Sequence, residues 1–246
     1  MKQRGLDVTM AYRDERIWKN FFTPEMSAWF EQYYEARGVV LRPGSRLAAL
    51  RGQGASGPVE AVVLADGAEL AADLVIVGIG VEPVVDLFEG TGLKIHNGIE
   101  VNEFLETGVP GVYAAGDVAN YYDPLFEKRR RVEHWDNAGA QGEYLARKLA
   151  GTHEQFLHVP YFFSDVFDLS YEFWGDLAGA DRVATRGQIQ GGAFSTWWLR
   201  EGRLVAAFVL DRPDEERELA QQWIRERAQV PAGVLDDEAH SLTPLL

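Results

Sequence analysis

The run DLVIVGIG, Asp73 to Gly80, places apolar side chains on both of its would-be faces. A central parallel strand covered by helices on each side has that pattern, so the run predicts an α/β fold. Toward the C-terminus a second apolar run, GVYAAGD (Gly111 to Asp117), precedes a helix expected from about Asp136 to Leu149. Strand and helix thus alternate, as in a parallel α/β sheet. Toward the N-terminus, three short strands are expected at Val39 to Leu41, Arg46 to Arg51 and Val59 to Ala65. They are separated by turns such as GQGASGP and closed by the hairpin signal Asp66-Gly67. This is an antiparallel excursion from the parallel theme.

GLDVTMAY, Gly5 to Tyr12, reads as a strand that begins almost at Met1, with no room for a preceding element. In TPEMSAWFEQYYEARG, Thr23 is the expected N-cap, Pro24 the first helical residue and Gly38 the residue past the end. Met26, Trp29, Phe30, Tyr33 and Tyr34 fall on one stripe, read as a face packed on a sheet. Beyond Thr152 aromatics crowd into PYFFSDVFDLSYEFWGD, and strands are expected at Ala193 to Leu199 and Leu204 to Val209. A last helix, roughly Asp214 to Ala228, has Asp214 as expected N-cap and Leu219, Trp223 and Ile224 on its apolar face. That region reads as a separate α+β domain.

The 246 residues carry 24 Lys and Arg against 38 Asp and Glu, a net charge of −14, which excludes nucleic-acid binding as the default. With no cysteine there is no disulfide framework, thiolate metal site or redox dithiol. The most apolar run, Ala71 to Val81, is far shorter than the roughly 20 residues of a membrane span, and with no basic stretch followed by an apolar one at the start, a signal peptide is not expected. A cytoplasmic location is expected. His96, His134, His153, His158 and His240 show no metal-binding spacing, and no GxSxG elbow occurs.

An apolar strand ending in small residues, as in VYAAGD (Val112 to Asp117), lets backbone approach a ligand at the sheet edge where α/β folds bind. Asp117 would there accept hydrogen bonds from sugar hydroxyls; read alone, it equally caps the next turn. Its context is TGVPG (Thr107 to Gly111) before it and RRVEHWDNAGAQG (Arg130 to Gly142) after it. That order resembles the C-terminal flavin-binding half of FAD-dependent pyridine nucleotide oxidoreductases. The branch without a redox disulfide is the nearest: monodehydroascorbate reductase, apoptosis-inducing factor and the ferredoxin-type reductases. VIVGIGVEP (Val75 to Pro83) resembles the closing strand of their NAD(P) domain, and VPYFFSDVFDLSYEFWGD resembles the start of their interface domain.

The resemblance implies an incomplete two-dinucleotide-domain flavoreductase, Rossmann-like, with an α+β C-terminal interface domain. Residues 1–83 would be the second half of the NAD(P) domain, 84–152 the C-terminal half of the FAD domain, and 153–246 the interface domain. It implies an enzyme in which NAD(P)H reduces FAD, which passes electrons to a small radical or a ferredoxin-type iron–sulfur carrier. Gly116, Asp117 and Val118 would lie against the flavin's ribityl–pyrophosphate region. Glu133, His134 and Trp135 would lie against the two rings, with Glu133 and Trp135 orienting the nicotinamide. Gly78 and Gly80 would let the nicotinamide ribose approach. No metal is implied.

The Gly-rich loops that hold the two pyrophosphates in such enzymes are not among these residues. The one GxGxxG match, Gly52 to Gly57, runs into Pro58 and a strand and reads as a turn. The chain is therefore expected to need a missing N-terminal half as its partner. The rival reading is a non-catalytic remnant whose aromatic stretch Tyr161 to Trp174 serves a homodimer or another partner. Lys128 to Arg131 reads either as a solvated loop or as a docking patch for an acidic carrier. In the ascorbate-radical enzymes the stretch after the Glu-His pair carries a basic residue where Gly139 stands here, so the acceptor stays open. Nicotinamide choice is open too: Asp14 and Glu15 favour NADH, and Arg13 favours NADPH.

Overall fold

The computed structural model describes residues 1–54, 57–231, 233–238 and 241–242. The chain divides into two compact units, Met1–Gly80 and Val81–Leu246. His240 and part of the GQGASGP turn, residues 55 and 56, lie outside the described residues.

In the first unit β1 (Val8–Ala11) pairs in parallel with β2 (Val39–Arg42), and helix α1 (Pro24–Ala36) connects them. Thr23 caps α1 as expected, its hydroxyl accepting from the Met26 N–H at 3.2 Å. Met26 and Phe30 are fully buried, and Phe22 stacks on Phe30 at 4.7 Å. Trp29 and Tyr33 are only half-buried and stack on each other at 5.5 Å, so the aromatic stripe is wider than the buried face. The meander is present as β3 (Leu47–Gly52), β4 (Val59–Leu64) and β5 (Glu69–Ala71), antiparallel in that order.

The run that suggested a central strand is not one. No strand is formed over residues 73–80, where Leu74, Ile76 and Ile79 are 62%, 72% and 84% exposed. A parallel strand is made by the strands beside it, and among the described residues nothing pairs with this segment. Its apolar character remains as an uncovered ridge.

In the second unit β6 (Ile99–Val101) pairs in parallel with β7 (Ala119–Asp123), which pairs antiparallel with β8 (Lys128–Arg130). Helix α2 (Trp135–Leu149) follows, near its expected limits. Val101, Leu105, Tyr121, Val132, Tyr144 and Phe156 form the core here. GVYAAGD departs from expectation: only Tyr113 makes an isolated bridge, to Glu106, and Gly116–Val118 turn as a 3₁₀ helix. Gly111 and Gly116 take φ values of +77° and +80°, which break an extended strand.

The rest of the unit is a five-stranded antiparallel sheet. Its strands are β9 (Tyr161–Val166), β10 (Leu169–Gly175), β11 (Arg182–Gln188), β12 (Ala193–Arg200) and β13 (Arg203–Leu210), in the order β11-β12-β13-β10-β9. Helix α3 (Asp214–Glu226) buries Leu219, Trp223 and Ile224, and Trp223 sits 5.9 Å from Trp197. Asp214 is the first helical residue and Pro213 the cap, so Asp214 acts on the helix dipole without capping. In the aromatic stretch, Tyr171, Phe173 and Trp174 are core residues, leaving Phe163 as its large exposed ring.

Candidate functional site

The 3₁₀ turn Gly116–Val118 and the start of α2 are joined by two side chains. The Gly116 N–H donates to Gln141 Oε1 at 2.7 Å, and Gln141, one turn beyond Asn137 on α2, is fully buried. Arg131 donates to the Asp117 carbonyl and to Asn97 Oδ1, both at 3.1 Å, and pairs with the Glu133 carboxylate. Asp117 and Glu133 are thereby drawn to one guanidinium. The Asp117 carboxylate itself is exposed and has no hydrogen-bond partner among the described residues.

Trp135 opens α2 and is 89% exposed. A core aromatic would not be; an indole held out at a helix N-terminus offers a flat apolar face to a ring. His134 before it forms no side-chain cap, and its ring meets Phe162 of β9 edge-on at 5.2 Å. Burial, with Arg130 next, lowers the His134 pKa below the ordinary imidazole value. Its Nδ1, together with Asn137 Nδ2 and Gln141 Nε2, is buried without a partner. Such groups each cost about 1–3 kcal/mol if nothing meets them.

Beneath the site lies a buried polar cluster. Asp123 accepts from the Leu125 N–H at 2.9 Å, and Tyr121 Oη lies 3.4 Å from both Asp123 and Asn137. Arg130 reaches Asp123 at 3.5 Å and Asp176 at 3.2 Å, and Lys128 reaches Asp176 at 2.7 Å. Burial raises the Asp123 pKa despite Arg130. At Asp176 burial acts the same way, but Arg130, Lys128 and the Ala178 N–H outweigh it and lower the value. The basic run is therefore neither a solvated loop nor a free patch: Arg129 is also spent, on the carbonyls of Val101 and Asn120.

Of the expected site residues, the second unit brings together Gly116, Asp117, Val118, Glu133, His134 and Trp135. Gly78 and Gly80 belong to the first unit; Gly80 has φ +93°, and a Cβ at either would meet open space. Sequence reading missed Asn137 and Gln141 and took Arg131 only as part of a charge run. Their signal was spacing: i and i+4 on the first two turns of α2, Gln141 meeting the glycine turn and Asn137 meeting Tyr121. No group of three metal-ligating side chains occurs among the described residues.

A flavin fits this donor set. Gly116 offers backbone without a Cβ, Asp117 an exposed carboxylate without a hydrogen-bond partner among the described residues, and Trp135 an exposed ring face.

Residues 1–142 match the family model for pyridine nucleotide-disulphide oxidoreductases, and residues 161–246 match the reductase C-terminal model. Monodehydroascorbate reductase of Pisum sativum is 36% identical over 233 residues, covering 89% of this chain and 52% of that protein. Putidaredoxin reductase of Pseudomonas putida is 31% identical over 242 residues, covering 98% and 57%. The ferredoxin reductase for the CYP199A2 system of Rhodopseudomonas palustris superposes with a TM-score of 0.92 at 29% identity, covering 99% of this chain and 59% of that one. The covalent putidaredoxin reductase–putidaredoxin complex gives 0.91 at 31%, covering 98% and 57%. The chain spans about half the length of the curated relatives it matches.

Proposed function

Since this chain belongs to the pyridine nucleotide-disulphide oxidoreductase family, we propose that it forms the flavin- and nicotinamide-facing part of an NAD(P)H-dependent reductase. Its acceptor is a small radical or a ferredoxin-type protein, and a cytoplasmic setting goes with the reductant. The observation that carries the reading is the clamp of Arg131 on Asp117 and Glu133 beside an indole left 89% exposed. When bound, FAD supplies the conversion between a two-electron donor and one-electron acceptors.

The residues of this chain bind and orient. Asp117 accepts from ribityl hydroxyls, a charge-assisted contact. Glu133, steadied by Arg131, accepts from the nicotinamide carboxamide and holds that ring at one angle. Trp135 covers the ring system and excludes water. His134, its pKa lowered, places a neutral ring at the site and adds no charge near the cofactor. Gly78 and Gly80 give room for the nicotinamide ribose. The uncovered ridge at Leu74, Ile76 and Ile79 supports a partner segment, the N-terminal half, that completes the sheet and brings the pyrophosphate loops. The test is flavin absorbance of the purified chain with and without that half, supplied from a relative. Stoichiometric yellow colour only in its presence supports the reading. Equal colour without it, or none with it, counts against it.

A further inference from the structure

A cavity of about 350 Å³ opens where three chain reversals of the second unit meet: the β7–β8 turn, the β12–β13 turn and the end of α3. Buried Phe126, Leu204 and Ile224 form its apolar floor, and Lys128, Arg200, Arg203 and Arg227 stand on its walls with Glu127 and Glu201. Four cations against two carboxylates invert locally the sign of a chain whose net charge is −14.

Two of the cations are spent inside the protein. Arg227 binds Glu127 at 2.8 Å, and Lys128 binds Asp176 at 2.7 Å. The Arg200 and Arg203 guanidinium groups have no hydrogen bond or ion pair among the described residues. They stand directly opposite each other as the last cross-strand pair before the turn. Like charges so placed destabilise a hairpin, and an anion lying between them removes that repulsion.

The backbone adds a second observation. Glu127, Glu201 and Arg227 take φ values of +56°, +52° and +54°. Glycine or asparagine occupies that left-handed region with less strain. Three charged side chains are nonetheless held there, all around one cavity.

We propose that this cavity binds a small organic anion: a phosphate or carboxylate carried on a compact apolar group. Arg200 and Arg203 grip the anionic head, and the floor takes the apolar body. The volume falls at the lower end of the roughly 300–1,000 Å³ of ligand pockets, which suits a small molecule rather than the face of an acidic protein. Glu127 is the resident anion. The Arg227 hydrogen bond holds its carboxyl below the ordinary range, and the charges of Arg200 and Arg203 act in the same direction. Glu127 stays paired with Arg227 while its charge partly offsets Arg200 and Arg203, so an incoming anion meets its repulsion.

Phenyl phosphate is the probe, titrated into the 246-residue chain by equilibrium dialysis with benzyl alcohol as the uncharged control. One saturable site per chain for phenyl phosphate, and none for benzyl alcohol, is expected. Arg200→Gln and Arg203→Gln each weaken binding about tenfold, the loss of one charge-assisted hydrogen bond. Glu127→Gln tightens it several-fold, a gain that misfolding cannot produce. Arg225→Gln, on α3 outside the cavity, leaves it unchanged. Absence of saturable binding, indifference to the Arg200 and Arg203 substitutions, or an equal loss in Arg225→Gln overturns the proposal; the last would mark general attraction to positive charge. No result of this titration bears on the flavin site.

Discussion

Replacing Arg131 by methionine removes the joint between the glycine turn and the start of α2 while keeping an apolar stem of similar length. Two hydrogen bonds are lost, to the Asp117 carbonyl and to Asn97, with the ion pair to Glu133. The Arg131 side chain is 11% exposed and that of Glu133 35%. A hydrogen bond from a charged donor contributes about 1.5–3 kcal/mol, and contacts this close to the surface belong at the low end. Solvent screening limits the pair with Glu133 to less than about 1 kcal/mol. Arg131→Met should therefore cost about 3–4 kcal/mol, whereas Glu133→Gln, which loses only the pair, should cost under about 1 kcal/mol. Urea unfolding at neutral pH reads both through the midpoint at constant slope. Arg131→Lys keeps the charge but not the fork, and should recover only part of the loss. A cost below about 1 kcal/mol for Arg131→Met, or equal costs for the two substitutions, would refute the clamp.

Asp117→Ala, in a chain loaded with FAD beside the N-terminal half, should weaken flavin retention by about 1.5–3 kcal/mol, read as flavin content after gel filtration; unchanged content removes Asp117 from the site. Burial depresses the His134 pKa in the folded state, so below the unfolded value of about 6.5 the unfolded chain takes up the proton first. Stability is then complete above that pH and falls as the pH drops through the window; His134→Gln should flatten this part of a stability–pH curve, and an unaltered curve refutes the assignment. Trp223→Ala should cost about 3–5 kcal/mol in urea unfolding because the indole is 1% exposed against Trp197. Trp223→Phe should cost less than half of that, since it also deletes an indole N–H that is buried without a partner.

Local signals proved readable wherever a chemical group meets its own neighbours. Thr23, Pro24 and Gly38 bound α1, and Asp66-Gly67 closes the β4–β5 hairpin. Long-range pairing was less legible. Apolar letters at 73–80 describe a strand only when neighbours are present, and in GVYAAGD the glycines override the apolar run. Conversely, ANYYD forms β7 although it alternates poorly, because Asn120 is buried through a hydrogen bond to the distant His96 carbonyl and Asp123 through the Leu125 N–H of the following turn. Arg182 and Arg186 hid β11 in the same way. Arg186 is buried with its guanidinium on the carbonyls of Val234 and Asp237, a partnership no local pattern announces. At the site, Asp117, Glu133 and Trp135 were visible as a motif. The Arg131 clamp and the buried amides of Asn137 and Gln141 were not, because they are defined by contacts between separate segments: Arg131 and Gln141 with the glycine turn, and Asn137 with Tyr121 of β7.

In the proposed function these residues carry the flavin-ring and ribityl contacts but not the pyrophosphate contacts. That division of contacts is tested most directly by the visible absorption spectrum of the 246-residue chain after incubation with FAD and gel filtration, alone and together with the N-terminal half of a relative. The chain alone is expected to be colourless and self-associating, given its exposed ridge at Leu74, Ile76 and Ile79. The reconstituted pair is expected to show a stoichiometric flavin spectrum, lost on Asp117→Ala. A monomeric chain that retains one FAD without the second polypeptide would contradict that division.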